Sequence, residues 1–536
     1  MLPILMFVAI GMACAVEFSS NQAHVDLWSH VRFGEDLRAS GAGTSPWVNP
    51  DHLSQIAISF VLDQFGSAGL TLAKCILGLA LIGFIVRHCR RMGVGLLTIC
   101  AVSLLVAINL ANYWTANPQI ISYFCFAAML FLLQSLFRSW SDRWRLVIRW
   151  RATKQVLIPY APNRMKLLWM LPILFLFWSN LHGGFLLGLI ALGIYLTTRS
   201  LEAWTTQGTL AKDLLIRFGC ILVASVLVTS LNPFGLQLHQ RLVYWGMQPW
   251  PEFLDWHAPD LSGLEQVPLS LLIVTWLFAL AFTRQSRDFT GLLLTSIAAI
   301  ASLESRYYAP YFTILFGFFI PLHFESVCRF FKISTVSTFE MIRPVHRWTF
   351  VTAAVGLILL LSMRLLIRPW SIQVNRSEYP VSAVKFVQDS NLAGKMAVAF
   401  HWSPYVLGKC GSNVEVALDR RYRLLYSQEA IDRHFDMFAG RVNSFRYRSP
   451  NSPGYDAGRL LRDDQPDLVL VDRRQSHAVQ TMRKNRSKWT LLYQDSLAQV
   501  WGRSTRYDEP ENSAYLAPPQ RVVSNVKQLG AVSFRQ

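Results

Sequence analysis

The chain has 536 residues, of which 52% are apolar, 13% aromatic and only 16% charged, with a formal net charge of +18. Soluble proteins carry about 25% charged residues, so this balance, with a mean hydropathy of +0.29, excludes a disordered chain, a fibre and an ordinary soluble enzyme. The positive charge does not point to nucleic acid, because the basic residues of the first 370 positions sit in short loops between apolar runs, as cytoplasmic loops do.

In chain order, the first apolar run, 2–16, ends in Ala13-Cys14-Ala15, which resembles the small-residue cleavage site of a signal peptide, but no basic segment precedes it, and an uncleaved first helix is the preferred reading over a signal peptide. The loop 17–66 follows. Within it Asp26 and His30 are four residues apart and share one helix face, with His24 beside them. A carboxylate next to imidazoles at the mouth of an apolar bundle can act as a general base; the alternative is that Asp26 caps a helix running to about 39. Pro50-Asp51-His52 then opens an amphipathic stretch suited to lying flat on a membrane.

Spans are expected near 67–87, 93–111 and 119–137, and then at 214–231, 267–284, 289–304, 306–323 and 349–367. The stretch 167–198 is too long for one crossing, and Trp178-Ser179-Asn180-Leu181-His182-Gly183-Gly184 breaks its middle. The loop 138–166 holds eight basic residues against Asp142 and belongs in the cytoplasm. Reading 167–198 as two short helices meeting at the outer face also puts the basic loops at 284–287 and 329–347 inside. The result is about eleven helices, N-terminus in and C-terminus out.

With that orientation the polar, aromatic-rich breaks all fall on the outer face. His182 sits between Asn180 and two glycines, where a bend leaves backbone groups free, and Asn232-Pro233-Phe234-Gly235 ends a span. Glu252, Asp255 and His257 lie among Trp250 and Trp256, aromatics able to stack on sugar rings or to form an interfacial belt. Arg306 in Glu304-Ser305-Arg306 suits a lipid phosphate, or an ion pair with Glu304.

From about 370 the pattern becomes short apolar runs (396–400, 414–418, 468–471, 489–493, 498–501) alternating with helical stretches at 381–391, 427–438 and 475–484. This predicts a small α/β domain over 370–503 with a mostly parallel sheet. The segment 440–466 reads as a long loop, and the tail 504–536 as disordered. Asp472 at a strand end reads as a cap or an ion pair with Arg473 or Arg474. The basic residues Arg420, Arg421, Arg423, Arg441, Arg446 and Arg448 suit anionic lipid headgroups. The eight cysteines show no C-x-x-C spacing and lie mostly in apolar runs, which excludes a disulfide framework or a zinc site.

Asp26-Leu27-Trp28-Ser29-His30 with Gly34 resembles the D-L-W-x-H-x-x-x-G opening of a large set of bacterial multi-span proteins. Pro118-Gln119-Ile120-Ile121-Ser122, the Trp178–Gly184 segment, Asn232–Gly235, Arg306 with Pro310, Trp402-Ser403-Pro404-Tyr405-Val406-Leu407 and Leu418-Asp419-Arg420-Arg421 continue the match to about residue 503. That set resembles the GT-C glycosyltransferases, which use polyprenyl-phosphate sugars at the outer face of a membrane. The resemblance implies a polytopic helical domain over 1–369, placement in a bacterial cytoplasmic membrane, and Asp26 as base, helped by His30 or His24. Asn180, His182, Asn232, Glu252, Asp255, Trp256, His257 and Arg306 become candidates for substrate binding. Many relatives have a first acid where this chain has His24, which argues against a divalent metal, and no other cofactor is expected. Asn117 stands where relatives carry Arg before Pro-Gln, leaving Arg306 as the better phosphate ligand.

Two other classes are compatible with the sequence. A flippase or transporter would keep ionisable groups inside its spans, and Lys74 is the main one here. A non-enzymatic anchor for the α/β domain would need far fewer helices.

Overall fold

The computed structural model describes residues 2–40, 47–138, 140, 165–248, 250–331, 344–441 and 446–534. The basic loop expected at 138–166 lies almost wholly outside them. The described residues up to 367 form helices joined by turns and loops: α1 (Leu2–Phe18), α2 (Leu27–Ser40), α3 (His52–Arg91), α4 (Leu96–Ala111), α5 (Gln119–Leu136), α6 (Met170–Leu181), α7 (Phe185–Gln207), α8 (Lys212–Val228), α9 (Leu236–Gly246), α10 (Val267–Phe282), α11 (Phe289–Glu304), α12 (Ala309–Phe319), α13 (Pro321–Phe330) and α14 (Pro344–Ile367). Among the described residues α3, α5, α7 and α10 contain stretches long and apolar enough to cross a membrane. The pair α12–α13, bent by 58° where Pro321 cannot donate a backbone hydrogen bond, is a fifth candidate. Large apolar side chains such as Phe177, Ile190, Val274 and Leu360 stand exposed around the bundle, which is the lipid-facing surface of a multi-pass membrane protein.

The breaks fall where the sequence lacks continuous helix formers. Gly66, at φ +66°, divides α3 into a first segment and a long apolar one. His182 leaves the helical region between α6 and α7, so the 167–198 stretch is a hairpin. Helix α2 packs closely on the first segment of α3. At the crossing, a Cβ on Gly34 would collide with the Gln55 carbonyl oxygen. Gly34→Ala should therefore destabilise the protein by about 1–3 kcal/mol as overpacking, read as a lower melting temperature in detergent or nanodiscs.

The C-terminal part is built on a six-stranded sheet in the order β3-β2-β4-β6-β5-β7. Its strands are β2 (Gly394–Val398), β3 (Val414–Val416), β4 (Leu468–Asp472), β5 (Trp489–Gln494), β6 (Ala498–Arg503) and β7 (Val522–Val523). Strands β3, β2 and β4 are parallel, whereas β6 runs antiparallel to both β4 and β5. The sheet is thus mixed, because the three-residue connection Asp495-Ser496-Leu497 folds β5 and β6 as a hairpin rather than through a crossover.

The tail after 503, expected to be disordered, carries defined structure. Val522–Val523 adds to β5, and β8 (Ala531–Ser533) pairs antiparallel with β1 (Gln373–Asn375). These strands are too short to show periodicity and are held by edges the rest of the sheet presents. Gln22 of the first loop bridges to Gln373 in the same small sheet.

The two parts share a core. Trp28 of α2 is 3% exposed and packs on Tyr379, Tyr405 and Phe534 with ring centroids 4.9, 5.0 and 5.1 Å away. The carboxyl ends of β2 and β3 lead into Phe400 and Arg420, which meet Phe253 of the loop before α10.

Candidate functional site

The first loop and the C-terminal domain meet at Asp26. This residue precedes α2, and its carboxylate faces Arg420, 394 positions later. Arg420 Nε lies 2.5 Å from Asp26 Oδ1, and Nη2 donates to Oδ2 at 3.0 Å. The guanidinium stacks 4.4 Å over the Phe253 ring and 5.6 Å from Phe400. His24 Nδ1 accepts from the Asp26 amide at 3.2 Å and lies 3.9 Å from Oδ2. Burial works to raise the Asp26 carboxyl, but Arg420, His24 and His30 together hold it below the usual carboxylate range. His30 is pushed down to about 4 by burial, against the pull of Asp26, and its Nδ1 contacts Gln55 Nε2 at 3.3 Å.

A second carboxylate lies close by. Asp51 caps the start of α3, its amide donating to Asn49 Oδ1 at 3.0 Å. Burial pushes its carboxyl up to about 7, past the lowering effect of the Gly183 amide, and Asp26 adds to the rise. His182 Nε2 stands 4.0 Å from Asp51 Oδ1. His182 Nδ1 accepts from the Gly184 amide at 2.9 Å and lies 2.7 Å from Ser122 Oγ, which itself accepts from Trp178 Nε1. Both contacts donate to Nδ1, so the neutral ring carries its proton on Nε2, towards Asp51. Burial pushes His182 down to about 3 and keeps it neutral. Gly184 is required here, since a Cβ would strike Ser122 Oγ.

These groups open on a cavity of about 440 Å³. Its polar lining includes Asp51, His182 and Arg420, and its aromatic lining Trp250, Trp256, Tyr307 and Tyr422. Leu186, Leu187, Ile190, Leu242 and Val243 of α7 and α9 make an aliphatic wall. Trp256 stacks on Tyr307 with ring centroids 4.9 Å apart.

Of the residues singled out in the sequence, His182 and Trp256 line this cavity, and Asp26, with His24 and His30 beside it, pairs with the cavity-lining Arg420. The others are not among the lining residues. Asn180 Nδ2 donates to the carbonyls of Leu176 and Leu231, which satisfies the bend. Asn232 holds its own turn through the Phe234 amide and the Thr229 carbonyl. Glu252 Oε1 accepts from the Tyr447 amide at 2.7 Å and so joins the two parts of the chain. Ser305 Oγ donates to the Asp255 carbonyl, and the Arg306 amide to the His257 carbonyl. His257 lines a separate, more open hollow with Arg446 and Tyr447.

Asp472 accepts from His401 and Arg474, the ion pair expected at that strand end. Arg421 pairs with Asp419, and Arg446 and Arg448 with Asp436. Asp51 and Arg420 are the site residues that the sequence did not single out for chemistry. The sequence signals for them are Pro50-Asp51-His52 and, for Arg420, its membership of the basic set suited to anionic headgroups and its place at the variable position of the Asp419-x-Arg421 element. Among the described residues no three His, Cys, Asp or Glu side chains come together to hold a metal ion, and the Asp26 carboxylate is engaged by arginine.

No family model matches the chain, and no curated protein does. Among solved structures it is similar to the oligosaccharyltransferase AglB of Archaeoglobus fulgidus, in complex with an inhibitory peptide and a dolichol-phosphate. The TM-score is 0.50 at 11% identity, over 88% of this chain and 70% of that one. The same organism's oligosaccharyltransferase tethered to an acceptor peptide gives 0.49 at 11% identity, over 95% and 75%. The mycobacterial arabinofuranosyltransferase AftD gives 0.47 at 12% identity, over 93% and 40%. At such identity the AglB likeness shows the fold alone: the chain shares the fold of that oligosaccharyltransferase.

Proposed function

We propose that the chain is an integral membrane glycosyltransferase that moves a sugar from a polyprenyl-phosphate donor to an acceptor at the outer face of a bacterial cytoplasmic membrane. Residues 1–369 make about eleven crossings from a cytoplasmic N-terminus, and the α/β domain from 370 onward lies outside. The observation that carries this reading is the amphipathic cavity, lined by a carboxyl, an imidazole and a guanidinium together with aliphatic side chains of α7 and α9. That combination suits a lipid with a charged, sugar-bearing head. The dolichol-phosphate bound by AglB is a lipid of this class. An anchor has no need of such a cavity.

In the proposed reaction the acceptor hydroxyl oxygen attacks the anomeric carbon of the sugar. The bond from that carbon to the phosphate oxygen breaks, and polyprenyl phosphate leaves with the electron pair. A carboxylate takes the hydroxyl proton. The motif resemblance assigns that role to Asp26, but Arg420 occupies its carboxylate. We therefore place the base at Asp51, which faces the cavity and has the neutral His182 beside it. The aromatic side offers ring faces to the sugar.

The test is a transfer assay in nanodiscs with a panel of polyprenyl-phosphate sugars and envelope acceptors. Release of polyprenyl phosphate with loss of donor sugar is the expected result. A folded protein inert towards every such donor and acceptor would sink the proposal.

A further inference from the structure

We infer that Arg420, carried by the C-terminal domain, is the ligand of the donor's phosphate group, and that Asp26 is its resident counter-ion. The inference rests on the transferase reading and names the group that holds the lipid head.

Arg420 is placed for this role in three ways. Its Nε and Nη2 face Asp26, no hydrogen bond of Nη1 is found among the described residues, and the residue lines the cavity. The rings of Phe253 and Phe400 hold the guanidinium plane, so its orientation does not depend on Asp26 alone. The aliphatic wall of Leu186, Ile190 and Val243 belongs to the same cavity, where an isoprenoid chain could follow a head bound at Arg420.

The neighbouring arginines are less suited. Arg421 also lines the cavity and is likewise engaged by a carboxylate, but that carboxylate is Asp419, two residues away, which closes on Nε through both oxygens, and the guanidinium lies over Phe33 rather than over Phe253 and Phe400. Arg306, the candidate from the sequence, is not among the cavity-lining residues. A planar guanidinium recognises carboxylate and phosphate through the same fork, so Asp26 occupies the geometry a phosphate would use. In the transfer step the phosphate goes from one negative charge to nearly two as its bond to the sugar breaks. A fixed guanidinium therefore binds the departing group more tightly than the donor, which is the requirement for stabilising the transition state.

The experiment measures binding of a long-chain polyprenyl monophosphate to the full-length protein in nanodiscs. Arg420→Gln should weaken binding by roughly ten- to a hundredfold, the usual effect of losing a charge-assisted hydrogen-bond pair. Arg420→Lys should restore only part of the loss, since it keeps the charge without the fork. Asp26→Asn should bind as tightly as the native protein or several-fold more tightly, because it removes the competing anion. Arg306→Gln should be unchanged.

If the pair serves only to clamp the two parts of the chain, Asp26→Asn and Arg420→Gln would weaken binding alike, and the inference fails. It fails equally if Arg306→Gln carries the loss, or if inorganic phosphate displaces the lipid at equal concentration. Native binding that survives Arg420→Gln overturns this inference and leaves the transferase reading standing. No binding to the native protein, with no transfer, overturns both.

Discussion

Asparagine at position 51 lowers sugar transfer by about 10²–10⁴-fold, the usual contribution of a positioned general base. It does so without loss of folded protein. Asp51 reaches about 7 in the folded chain because burial disfavours its charged form. The base works deprotonated, so kcat/KM of the native protein should rise tenfold per pH unit below about 7 and level off above it.

The stability change has the opposite sense. A carboxyl whose folded value is raised costs stability as pH climbs from its ordinary value, near 3.8, to about 7, and the cost is complete above that. Asp51→Asn removes that cost, so the variant should melt at or above the native temperature at pH 8. A flat rate between pH 5 and 8, or full transfer by the variant, would exclude Asp51 as the base.

Trp28→Ala is the second large effect. The indole is buried among Tyr379, Tyr405 and Phe534, and removing such a side chain costs about 3–5 kcal/mol. Gly408 lies against the Trp28 Cβ, so the gap closes poorly. The expected outcome is undocking of the α/β domain, seen as rapid proteolysis near 368–372 and loss of transfer, with Trp28→Phe retaining most of both. An unchanged proteolytic pattern in the alanine variant would show that the domain is held by other contacts.

Most of the membrane-domain helices were legible because each depends on a local run of apolar residues, but α9 lies in the stretch 232–266 that reads from sequence as a long loop. The hairpin was legible because Ser179 to Gly184 interrupts one such run and basic loops constrain its topology. The short strands of the C-terminal domain showed as β-branched or apolar runs between helical stretches. The pairing of Asp26 with Arg420 left no local trace, since it joins residues 394 positions apart. Asp51 reads locally as a cap, and only the approach of Gly183 and His182 from a different hairpin gives it a site. The ordered tail was hidden because Val522–Val523 and Ala531–Ser533 derive their structure from the edges they join.

Phe534 stacks on Trp28 at 5.1 Å. The two rings are 506 positions apart in the sequence, so α2 and the segment that follows β8 must both be in place before this stack forms. Until that segment docks, Trp28 has only two of its three ring partners, Tyr379 and Tyr405.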